Sequence, residues 1–397
     1  MTMRHRFARP FLLGASLVLA LTASITTPRA DDMTAEQKQT CGSPAALDDG
    51  WTIASPGSVG MDGERPCGIA ARLALRSSEV HSVVVARHGR LVFEQYFTGI
   101  DQPWGHKEGR IEFTATTKHD MRSASKSVTS LLVGIAIDRK LIAGVDERVT
   151  KFFPERQSVK SAGWDAITLR HLLTMSSGIQ WDEALPWTDP NNDEPHLAFD
   201  ADPIGYVLAK PIAAPPDTLW TYNGGGTNVL GNIVEQVSGK PLEAFARETL
   251  FQPLGITDLE WKSYENGKIA AAAGLRLRPR DAAKIGQLVL DRGRWKEQQI
   301  VPADWIAQSI VPRFQAVGYF GGTLFYGYQW WMGRSLSDGK EVKWVGAFGW
   351  GGQRIIIVPD LDLVMMTTAA QYGQPKEGLA AMDILANIII PAVRDAH

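Results

Sequence analysis

The chain has 397 residues, 44% of them hydrophobic, so it can bury a large core and disorder is not expected. Its 41 basic and 43 acidic residues nearly cancel, which removes any long-range pull toward nucleic acid or acidic lipid and leaves small molecules as the expected partners. The eight histidines form no His-Glu-x-x-His or similar pair, so neither a metal nor another cofactor is expected.

Residues 1–30 read as a secretory signal peptide. Arg4, Arg6 and Arg9 precede an apolar run from Phe11 to about Ile25, followed by Pro28-Arg29-Ala30-Asp31-Asp32. The run is shorter than the roughly 20 residues of a membrane span. Cleavage and release into the periplasm or the medium are therefore expected, with no stable membrane insertion afterwards. Residues 31–397 then form a single folded unit, without repeats or low-complexity tracts. Near its start, Cys41 and Cys67 either pair or stay free thiols; an oxidising compartment favours the pair, which would pin the N-terminal arm.

Val80 to Arg87 and Arg90 to Tyr96, β-forming runs around His88-Gly89, read as a hairpin. Ser125 to Arg139 places Val128, Leu131, Leu132, Ile135 and Ala136 at offsets of three and four, the stripe of a buried amphipathic helix. Asn228 to Val237 and Pro241 to Leu250 read as two more helices. Trp344 to Phe348, Arg354 to Val358 and Leu363 to Thr368 read as strands, the last two joined by the turn Pro359-Asp360-Leu361-Asp362. A helical pattern from about Lys376 to Arg394, interrupted at Pro391, closes the chain. Strands at both ends with helices between them predict an α/β (α+β) fold: an antiparallel sheet flanked by the terminal helices, over about 50–110 and 265–397, plus an inserted helical lobe over about 111–264. A cleft is expected where the two meet.

Three motifs carry chemistry. Ser123-Ala124-Ser125-Lys126 stands where an irregular segment ends and the first apolar helix begins. Residues three apart share a helical face, so the Ser123 hydroxyl and the Lys126 amine become neighbours, at a helix N-terminus that favours developing negative charge. A lysine left neutral by desolvation can then take the serine proton. Ser337-Asp338-Gly339-Lys340 has the same spacing, but Asp-Gly marks a turn between strands, where the two side chains share no helical face. The second motif, Trp220 to Asn228 with three glycines, supplies Tyr222, whose hydroxyl beside a lysine can shuttle a proton; a packed tyrosine in a turn is the plainer alternative. The third, Phe348-Gly349-Trp350-Gly351-Gly352-Gln353, opens an isoleucine-rich strand. Its glycines would let a substrate lie along the strand, and the N–H after them would join that of Ser123 in an oxyanion hole, or the motif is only a tight turn. No Gly-x-Ser-x-Gly elbow occurs. His171 among leucines reads as structural, and Trp181-Asp182-Glu183 as a stretch bordering the cleft or, more simply, an exposed loop acid.

A Ser-x-x-Lys at a helix start, a tyrosine motif about a hundred residues on and a Gly-containing strand motif near the C-terminus resemble the serine β-lactamases and penicillin-binding proteins, in particular the class C-related branch that includes esterases and 6-aminohexanoate-dimer hydrolases. The likeness runs from about Gly50 to the C-terminus and is densest in Arg122 to Asp138, Leu169 to Ile179 and Tyr222 to Gly239. It implies an acyl-enzyme on Ser123, Lys126 and Tyr222 as the proton-transfer pair, the Gln353 N–H in the oxyanion hole, and Asn223, Trp350, Gly351 and Gly352 along the substrate. Two departures stand out. The Tyr-x-Asn motif reads Tyr222-Asn223-Gly224, and the Lys-Thr-Gly motif reads Trp350-Gly351-Gly352, with no cation for a drug carboxylate. An aromatic in that place suits a neutral acyl donor, as do Trp181, Trp187 and Trp220 near the motifs. The resemblance thus implies cleavage of small-molecule esters or linear amides; a β-lactamase or DD-peptidase, and a non-catalytic wall-binding or sensor protein, are the alternatives.

Overall fold

The computed structural model describes residues 41–75, 78–106, 109–319, 323–374 and 378–394; the signal peptide expected at 1–30 lies outside the described residues. Apolar β-forming runs from both ends of the chain pair into one sheet. Its strands are β1 (Thr52–Ile53), β2 (Val80–Arg87), β3 (Arg90–Tyr96), β4 (Phe314–Gln315), β5 (Phe325–Tyr326), β6 (Trp331–Ser337), β7 (Lys340–Gly349), β8 (Gln353–Val358) and β9 (Leu363–Ala369). In space they run β1–β3–β2–β9–β8–β7–β6–β5–β4, so the first hairpin docks on the last strand. β2 and β9 pair antiparallel from Ser82 opposite Thr368 to Arg87 opposite Leu363, whereas β1 lies parallel to β3.

Turn chemistry sets the hairpins. His88 (φ 50°) and Gly89 (φ 69°) join β2 to β3, and Asp338 (φ 48°) and Gly339 (φ 76°) join β6 to β7 with Ser337 opposite Lys340. Two successive left-handed residues give a reversal whose twist matches the flanking strands. Ser337 and Lys340 therefore face each other across a hairpin, as the Asp-Gly signal predicts.

Five helices bear on the site: α1 (Ile69–Ala74), α2 (Ala124–Asp138), α3 (Gly224–Ser238), α4 (Pro279–Leu290) and α5 (Leu379–Ile384). Alternate residues of a strand point to opposite faces, and both faces are covered. Val83, Val85, Ile356 and Met365 pack with Ile69 and Leu73 of α1 and Ile384 of α5. Val84, Ile355, Val364 and Met366 belong to a second core with Ile285 and Leu288 of α4, which continues into Leu172, Leu230 and Phe245 of the helical region. Pro391 does not interrupt the last helix: α5 passes through a π turn, Leu385–Ile389, and continues as Ile390–Ala392, so Pro391 lies in its final turn.

α2 departs from its predicted amphipathic character. Every residue from Ala124 to Ala136 is buried, so the helix has no solvent face and its polar side chains need internal partners. Ser125 Oγ donates to the Arg122 carbonyl at 2.7 Å, Ser127 Oγ to that of Gln329 at 2.6 Å and Thr129 Oγ1 to that of Ala271 at 2.9 Å. These bonds lock the rotation of α2, and with it the direction in which Ser123 and Lys126 point. The arm at Cys41 is bonded to Cys67, and the Gly42 carbonyl accepts from the Glu94 N–H of β3 at 2.8 Å.

Candidate active site

Ser123 is the cap residue of α2 and remains partly exposed at its tip. The preceding Arg122 takes φ 47°, a left-handed conformation costly for a non-glycine residue. Its guanidinium is paired with Asp120 at 3.0 Å and lies 5.6 Å from the Trp104 ring, 5.8 Å from Trp350 and 5.1 Å from Tyr372. Asp120 also receives Arg276 at 2.6 Å and the Trp104 N–H at 2.8 Å. The strained turn is thus held from the side chain as well as the backbone.

One turn into α2, Lys126 is 1% exposed. Its Nζ donates to Ser123 Oγ at 2.9 Å and to the Ala272 carbonyl at 3.2 Å. The Tyr222 ring centroid lies 4.8 Å from that Nζ, and both Lys126 and Ser123 act on the phenol, pulling its pKa down against burial. The three polar groups chosen from the sequence therefore meet at one point. Their charge state differs from the expectation of a lysine neutralised by desolvation. Burial does pull Lys126 down, but the charges of Tyr222, Glu183 and Glu194 outweigh it and hold the amine above its ordinary pKa. Burial likewise raises Tyr222, against the pull of Lys126.

The helix tip differs in one respect from the predicted row of unpartnered N–H groups. The Ala124, Ser125 and Lys126 N–H groups are spent on the Met121, Arg122 and Ser123 carbonyls. The Ser123 N–H, by contrast, has no hydrogen-bond partner among the described residues.

The third motif reaches the same place from the sheet. At Gly349, the end of β7, a Cβ would stand 2.1 Å from the Met121 carbonyl, two residues before Ser123. Trp350 is 51% exposed and its ring stands 5.0 Å from that of Tyr372, forming a rim. Gly351 (φ 88°) and Gly352 (φ 99°) serve the turn and the close packing of Tyr372, Ala369 and Gln371 behind it, since a Cβ at either would collide there; the predicted role of clearing a track for substrate is not what demands them. The Gln353 side chain is buried and donates to the Trp350 and Ala369 carbonyls at 3.0 and 2.7 Å, which leaves only its main chain for an oxyanion. Asn223 is likewise committed: its Oδ1 caps α3 by accepting the Gly226 N–H at 2.8 Å, so its side chain serves the helix.

Two residues escaped the sequence reading. Glu183, taken for an exposed loop acid, is 6% exposed and sits 3.9 Å from Lys126 Nζ. Its Oε2 accepts the Gly224 N–H at 2.6 Å and the Trp181 indole N–H at 2.7 Å. Glu194 is within reach of its charge: loss of water followed by the Glu183 charge pushes the Glu194 carboxyl up to about 7, against Lys126 and Arg122. Spacing along the chain carries no signal for either. His171 is structural, as expected: its ring closes a capping box with Thr168 and meets Asp217 at 3.2 Å. Among the described residues no cluster of His, Cys, Asp or Glu could hold a metal ion, and no helix is long and apolar enough to cross a membrane.

Residues 69–386 match the Beta-lactamase family model. The chain is 30% identical over 166 residues to the acyltransferase mokF of Monascus pilosus, covering 38% of this chain and 40% of that one, so it spans about two fifths of the length of that relative. It is 25% identical over 274 residues to the 6-aminohexanoate-dimer hydrolase of Paenarthrobacter ureafaciens, covering 65% and 67%. The crystal structure of a family VIII carboxylesterase superposes with a TM-score of 0.65 at 18% identity, covering 84% of this chain and 97% of that one, which shows a shared fold.

Proposed function

This chain belongs to the Beta-lactamase family, and from that premise we propose that it is an exported serine hydrolase of carboxylic esters or linear amides, working through an acyl-enzyme on Ser123. The observation that carries the reading is the 2.9 Å contact between Lys126 Nζ and Ser123 Oγ, with the Tyr222 ring 4.8 Å from the same Nζ. The active form has one proton shared between Lys126 and Tyr222. Ser123 Oγ attacks the substrate carbonyl carbon and its proton passes to this pair. The resulting oxyanion would rest on the N–H groups of Ser123 and Gln353. The pair returns the proton to the leaving alkoxide or amine as the carbon–oxygen or carbon–nitrogen bond breaks. Water then enters by the same route, giving up its proton to the pair, and Ser123 leaves with that proton restored.

Esters and linear amides are favoured over β-lactams because Trp350 stands where a carboxylate-binding cation would, and the nearby Arg122 guanidinium is already paired with Asp120. The acyltransferase and dimer-hydrolase relatives point the same way. The Cys41–Cys67 bond suits an oxidising compartment, which supports export. Intact mass spectrometry after a fluorophosphonate should show one adduct on the parent and none on Ser123→Ala. An adduct on both proteins would mean another serine is the nucleophile.

A further inference from the structure

Resting on that reading, the loop between Trp181 and Glu194 adds a device to the proton-transfer pair. Asp182 and Asp193 are tied in both directions: the Asp182 N–H donates to Asp193 Oδ2 and the Asp193 N–H to the Asp182 carbonyl, each at 2.7 Å. Lys210 pairs with the Asp193 carboxylate and anchors this base. The residues that follow each aspartate, Glu183 and Glu194, are thereby brought close enough for the charge of one to act on the other although they are eleven positions apart in sequence.

Glu183 can reach the pair because Gly224 has no side chain: a Cβ there would stand 2.9 Å from Glu183 Oε2. The carboxylate fills that place, at the positive end of the fifteen-residue helix α3, where the dipole favours a negative charge. One oxygen thus holds the backbone two residues after Tyr222 while the other faces Lys126. We propose that Glu183 is a positioning residue that keeps Lys126 and Tyr222 in register with Ser123, and that Glu194, paired with it through the Asp182–Asp193 tie, makes this anchor respond to pH. The groups that face the two carboxyls are Lys126 and Arg122 from α2 and its approach, Tyr222 before α3, and the hydroxyls of Tyr264, Tyr319 and Tyr326. Each ionised carboxylate holds the proton on the Lys126–Tyr222 pair more tightly, so the form that accepts the Ser123 proton appears only at higher pH.

The test is the pH profile of a short p-nitrophenyl ester, with kcat and KM separated, for the parent, Glu183→Gln, Glu183→Asp and Glu194→Gln. Glu183→Gln should lower kcat about 100-fold through misplacement with KM within about twofold, since the residue touches no substrate, and should move the acid limb down by about one pH unit. Glu183→Asp keeps the charge but is one methylene short, so it should restore the limb and only part of kcat. Glu194→Gln should move the limb down with little change in kcat at its plateau. Parent-like kcat and limb in Glu183→Gln would overturn the proposal; if that variant does not fold, an unmoved limb in Glu194→Gln overturns it instead. Ser123→Ala, run alongside, separates the cases: a phenol burst that survives there sinks the serine reading itself, whatever the glutamates do.

Discussion

Glu194 shows most plainly how one side chain couples the site to the stability of the fold. Its folded-state pKa of about 7 lies above the ordinary 4.5, so the native protein binds the proton more tightly than the unfolded chain. That contribution is complete below about pH 4.5 and is lost as the pH rises through 7. Glu194→Gln cannot ionise and keeps nearly the same shape. It should match the parent in urea melts at pH 4 and exceed it at pH 8 by on the order of 2–3 kcal/mol; equal curves at both pH values would contradict the buried-charge account. The same reasoning explains why Lys126 is no free amine at rest, since two carboxyls and a phenol face it.

α2 turns these residue effects into geometry. Because it has no solvent face, its rotation is set by hydrogen bonds as much as by apolar packing. Thr129 is the most informative of them, as its hydroxyl donates to the Ala271 carbonyl while the next carbonyl, that of Ala272, receives Lys126 Nζ. Thr129→Val preserves volume but strands a buried acceptor, which costs about 1–2 kcal/mol. The urea midpoint should fall accordingly, and kcat on a p-nitrophenyl ester should drop a few-fold as the Ala271–Ala272 segment loosens. A lower midpoint with unchanged kcat would mean the bond serves stability alone. The stripe that marked this segment as helical could not reveal that its other faces are buried too, because Ser, Thr and Gly at those positions fit a wet surface equally well.

In the whole molecule the two chain ends are stitched together. The β2–β3 hairpin docks on β9, α1 and α5 share one face of the sheet, and the Cys41–Cys67 bond ties the arm that runs along β3. Glu94 of β3 binds Arg280 of α4 at 2.6 Å, and Arg280 reaches Asp49 in the arm at 3.0 Å. Replacing both cysteines by serine should cost about 3 kcal/mol by the chain-entropy estimate, read as a lower urea midpoint, with the phenol burst intact because the bridge touches no site residue. The sequence by itself determined the hairpins and the helix carrying Ser123 and Lys126, since turn residues, apolar period and a three-residue spacing are local properties; Tyr222, nearly a hundred residues away, entered as their partner only through the family resemblance. α4 escaped notice although Pro279 and its spaced apolar residues are helix signals. Only the tertiary structure decided that Glu183 and Glu194 face Lys126, that Asn223 caps a helix, and that Gly351 and Gly352 serve packing behind the rim. Those outcomes depend on segments far apart in the chain meeting in space, and the protonation of a buried group is set by whichever charges that meeting brings near it.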